Sequence, residues 1–168
     1  MSNRLKEEID DILFFHRLSP GRSSRGDVEF AAFEKESDLS DEQIRIDAFR
    51  FVCVSEDAFD YTEFIFSEVS EESSFSKYSL CYFDEAKLLT LIDRLAKFDN
   101  QLCIYDTMDS FCSVWNAVNE KWASEYIQRN YSETWEYLRS AIRLVCIQLS
   151  EFFELCIKEK KSVWMLGI

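Results

Sequence analysis

The chain has a single histidine, six cysteines and 32 carboxylate side chains, and these limit the chemistry it could perform. Histidine is the usual general base near neutral pH because its ring titrates there. His16 lies at the edge of an apolar stripe, where a partly buried structural role is expected. No Ser, Thr or Cys stands in a local pattern with a base, so no nucleophilic triad is predicted. Zinc sites need Cys or His at short spacing. The cysteines at 53, 81, 103, 112, 146 and 156 are separated by 28, 22, 9, 34 and 10 positions, with no CxxC pair. They read as buried free thiols in a reducing compartment. A helical di-iron site needs Glu-x-x-His pairs, and none occurs. There is no glycine-rich phosphate loop. Carboxylates alone can bind Mg²⁺ or Ca²⁺, but the acidic runs lack the alternating Asp/Asn ligands and central glycine of an EF-hand. Asp106 and Asp109 are explained by helix capping. The expectation is a protein that is not an enzyme, with no cofactor and no metal.

The acids are distributed unevenly. Residues 1–26 carry five basic and four acidic groups, and residues 126–168 carry six and five. Residues 27–125 carry 23 acids against eight bases, a net of −15 in a chain of net charge −13. Such a field repels nucleic acid and attracts basic partners, so direct nucleic-acid binding is not expected. The densest part is 56–76, with seven acids and no Lys or Arg. Aromatic residues are threaded between these acids. One reading is a solvated face that keeps the chain soluble. The sharper reading is a recognition surface, in which acids steer a basic partner and aromatics anchor it. Its candidate partner-binding residues are Asp57, Asp60, Tyr61, Glu63, Phe64, Glu68, Glu71 and Glu72.

The function this suggests is a small acidic inhibitor that covers the active or nucleic-acid-binding surface of a basic protein. Its concrete forms are a bacterial immunity protein against a nuclease toxin and a phage nucleic-acid mimic. The alternative is an acidic escort chaperone or adaptor for a secreted or effector protein. There the apolar tail or the 75–83 stretch would hold a partner or a second copy. A monomer is expected for the inhibitor and a dimer for the chaperone.

The elements that position these residues are read as mostly helical. Three glycines and one proline are too few for a sheet-rich fold, which needs turn residues every 8–12 positions or so. The organising stretch is 132–158. Trp135, Leu138, Ile142, Val145, Leu149, Phe152 and Cys156 recur at steps of three and four, which keeps them on one helical face. Leu5, Ile9, Ile12 and His16 predict a helix over 3–18, stopped by Pro20. Residues 19–27 form an exposed loop; the Arg25-Gly26-Asp27 tripeptide there is attributed to chance. Ser40 with Gln43 resembles a capping box and predicts a helix with Ile44, Ala48, Phe51, Val52 and Ser55 inward; a strand over 44–54 is the rival. Residues 28–33, 59–66 and 78–83 are too short for periodicity to decide. Asp84 caps a helix ending at Asn100. Asp106 or Thr107 caps another with Met108, Phe111, Trp115, Val118, Trp122 and Tyr126 inward. Val163–Leu166 is too apolar for a free tail and is expected to fold back.

The predicted architecture is a mainly α single domain over 1–168, a bundle of five or six helices around the C-terminal one. The alternative is α+β with a small antiparallel sheet. No run of about 18 apolar residues marks a membrane span. The acid-rich N-terminal segment does not suit a signal peptide, so a cytoplasmic location is expected.

Overall fold

A computed structural model describes residues 15–18, 27–33, 50–70, 75–76, 78–115 and 135–166. It is a mixed α+β structure, which corrects the helical-bundle reading in favour of its alternative. Strands β1 (Phe15–Leu18), β2 (Asp27–Phe33), β3 (Arg50–Ser55), β4 (Leu80–Phe83) and β5 (Ser162–Leu166) form one antiparallel sheet in the order β1-β3-β2-β5-β4. The described helices are α1 (Glu56–Asp60), α2 (Glu63–Ser70), α3 (Glu85–Leu102), α4 (Met108–Trp115) and α5 (Trp135–Lys158).

Two predicted helices yield strands where they are described. Residues 15–18, the end of the 3–18 prediction, pair with β3 from Phe15↔Val54 to Leu18↔Phe51. Residues 50–55, the end of the Ser40 prediction, pair with β1 on one side and β2 on the other. The run Phe51-Val-Cys-Val is aromatic and β-branched, which suits a pleated surface better than a helix. Ser40, Gln43 and the rest of 34–49 lie outside the described residues, as do 1–14 and 116–134, which include Val118, Trp122 and Tyr126. Of the predicted 19–27 loop only Asp27 is described, as the first residue of β2.

The sheet explains why its strands were hard to read. Val28, Phe30, Ala32, Val52, Val54, Cys81, Phe83, Val163 and Met165 share one face and join the helices in a single hydrophobic core. Residues between them, including Ala31, Phe33, Cys53 and Leu166, are also buried on the opposite face. A strand buried on both faces shows no alternation in sequence. The apolar tail is an inner strand: β5 lies between β2 and β4, pairing Phe30 and Cys81 alike with Met165.

Helices α3 and α5 lie against each other in antiparallel sense. Arg143 of α5 grips Asp99 of α3 through two hydrogen bonds of 2.7 and 3.3 Å. Trp135 Nε1 and Arg139 Nη1 both donate to the Tyr105 carbonyl at 2.9 Å, beyond the end of α3. Asp84 caps α3 as predicted, accepting from the Lys87 amide at 2.9 Å. The helix runs two residues past Asn100, because Leu102 is fully buried and rewards the extra half-turn. Thr107 begins α4, its hydroxyl accepting from the Ser110 amide at 3.2 Å. Phe111 of α4 stacks on Trp135 with centroids 5.0 Å apart.

Helix α5 exits through a paired turn. Lys161 N donates to the Cys156 carbonyl at 2.8 Å and Lys160 N to the Ile157 carbonyl at 2.9 Å. This is a Schellman arrangement, whose C′ residue must be left-handed. Lys160 occupies that position with φ of 55°. The turn reverses the chain directly into β5.

Candidate functional site

The acidic–aromatic segment folds as α1 and α2, joined at Tyr61 and Thr62. β3 ends on Ser55, whose Oγ accepts from the Ala58 amide at 3.2 Å and so caps α1. Glu56 and Asp57 follow in its first turn, and Glu63 opens α2. Carboxylates there complement the partial positive charge of a helix N-terminus. Part of the acid density thus has a local structural reason.

The aromatics of this segment turn inward. Phe59 and Phe66 are fully buried, and their rings lie 5.0 Å apart. Phe30 of the sheet sits 6.2 Å from Phe59 and 5.4 Å from Phe66. Phe153 of α5 closes the group at 5.7 Å from Phe30. Tyr61 is only 5% exposed, so it belongs to the core and is not a surface anchor, contrary to the sequence expectation. Phe64 is half-buried, its ring edge-on to Phe98 of α3 at 5.3 Å. The acid-and-aromatic alternation is therefore two sides of short helices, not one mixed surface.

The described carboxylates differ in exposure. Asp60 and Glu63 are half-buried, and Glu68 is exposed. Asp57 is in α1, with its side chain outside the description, and Glu71 and Glu72 lie outside the described residues. Glu68 meets Arg94 of α3 at 3.3 Å, both side chains about half exposed. Glu56 accepts a 2.7 Å hydrogen bond from the Tyr78 hydroxyl. Lys87 Nζ reaches the Ser70 carbonyl, at the C-terminus of α2, at 3.5 Å. Sequence reading missed these internal cations. The signal was present: Lys87 and Arg94 are seven residues apart, hence on one face of α3.

The other charged contacts are structural. Arg50, at the start of β3, holds Glu159 through hydrogen bonds of 3.1 and 2.8 Å. This bond and the Arg50 charge hold the Glu159 carboxyl below its usual range. All six cysteines are free, five buried and Cys103 exposed. Burial, aided by the charge of Asp99, pushes the Cys146 thiol up to about 12. Burial and the charge of Glu159 do the same to Cys156. These thiols are protonated at neutral pH, which makes them poor nucleophiles.

Among the described residues no group of three or more His, Cys, Asp or Glu side chains could hold a metal ion. His16 is in β1, with its side chain outside the description. No described helix is long and apolar enough to cross a membrane. Compared with known proteins, the chain matches no family model, no curated sequence and no solved structure.

Proposed function

We propose that this chain is a non-catalytic acidic inhibitor that neutralises a basic protein by covering its active or nucleic-acid-binding surface. A nuclease toxin is the concrete partner, with the chain as its immunity protein; a nucleic-acid mimic works by the same physics. The supporting observation is the concentration of charge, a net of −15 over residues 27–125. Of the candidate carboxylates, Glu68 is exposed and Asp60 and Glu63 are half-buried. With Tyr61 buried, contact rests on carboxylates more than on aromatic anchors. Such an interface forms quickly and weakens with salt. The exposed Glu68–Arg94 pair adds little stability, so exchanging Arg94 for a partner cation costs little.

The test is a panel of basic nucleases assayed with and without an equimolar amount of the chain. Inhibition of at least one member is expected, falling as salt rises from roughly 50 to 500 mM. The triple variant Asp60→Lys, Glu63→Lys, Glu68→Lys should lose that inhibition while keeping its far-UV circular dichroism. Inhibition retained by the folded variant defeats the site, and no inhibition across the panel defeats the reading.

The escort-chaperone reading keeps one of its two surfaces. Its apolar tail is β5, inside the sheet, with Val163 and Met165 fully buried. The 75–83 stretch still offers Tyr78 and Leu80, which are 57% and 39% exposed. Light scattering separates the two, since a dimer favours the chaperone and a monomer the inhibitor.

A further inference from the structure

We draw no further inference here: the strongest candidate, the Tyr82–Trp164 ring pair on the sheet face opposite the helical core, where the buried Trp164 indole N–H finds no acceptor among the described residues, is a partly exposed face with nothing in the structure to show what covers it.

Discussion

Helix α5 and the α1–α2 pair meet on the same phenylalanine cluster and reach it by different means. α5 does so with 24 residues of unbroken helix and an inner face of Trp, Leu, Ile, Val, Cys and Phe. The α1–α2 pair uses two short pieces, and some of its inner positions are hydroxyls. Thr62 is fully buried, and its Oγ1 donates to the Phe59 carbonyl at 3.1 Å. Ser70 is buried too, and its Oγ donates to the Ser67 carbonyl at 3.2 Å. A hydroxyl that returns its bond to the local backbone can occupy a core position without an unmet donor. An inward face therefore need not be an apolar one, and a segment dense in carboxylates can still be a structural part of the core.

The sharpest way to break this parity is to truncate one ring on each side. Phe153→Ala in α5 and Phe66→Ala in α2 should each cost about 3–5 kcal/mol, because both rings are fully buried in one cluster. Urea denaturation measures it. A near-neutral Phe66→Ala would return the acidic segment to the surface.

Alkaline titration probes α5 through Cys146 and Cys156. Their folded values are raised from 9.0 to about 12. A raised folded pKa contributes stability fully present below the unfolded value and lost as pH climbs through the folded one. The melting temperature should therefore fall from about pH 9 upward, and Cys146→Ala should flatten that fall. At neutral pH a thiol reagent should label Cys103 promptly and the five buried cysteines only after unfolding. Prompt labelling of Cys146 would show α5 to be loosely seated.

Ion pairs sharpen the contrast further. A double-mutant cycle on Arg143 and Asp99 should give a coupling of about 1 kcal/mol, since the geometry is two-pronged and Asp99 is mostly covered. The same cycle on Arg94 and Glu68 should give less than about 0.5 kcal/mol, as both are half exposed. Equal couplings would mean that α2 is fastened to α3 as firmly as α5 is. The smallest effect belongs to the exit of α5. Lys160→Gly should stabilise by under about 1 kcal/mol, because glycine removes the left-handed strain but gains disorder when unfolded. A loss of stability would mean that the lysine side chain matters more than its backbone.

How much could be read in advance follows from these contrasts. The stripe of α5 was legible because its length gives the period many chances to repeat. The cap at Asp84, and one at Asp106 or Thr107 that falls to Thr107, were legible because each is a short-range contact between neighbours. The sheet was not, since β2 and β3 are buried on both faces and the runs 30–33, 51–54 and 163–166 are apolar throughout, which hides any alternation. For α1–α2, Phe59, Ile65, Phe66 and Val69 keep helical phase, but Thr62 and Ser70 interrupt it with polar letters. The candidate site was legible only as charge. Sequence shows that carboxylates are dense, but it cannot show that Arg94 and Lys87 reach across to α2.

The place of β5 has a consequence for how this protein is made. Residue 166 pairs with residue 29 on one side and residue 80 on the other. A nascent chain still lacking residues 162–166 has β2 and β4 with no strand between them, and both carry fully apolar inner faces. The sheet can close only after residue 166 has left the ribosome, and contacts so distant along the chain form slowly. Until then the growing polypeptide presents unpaired strand edges to its surroundings, a stage in which a chaperone or a dilute environment guards against aggregation.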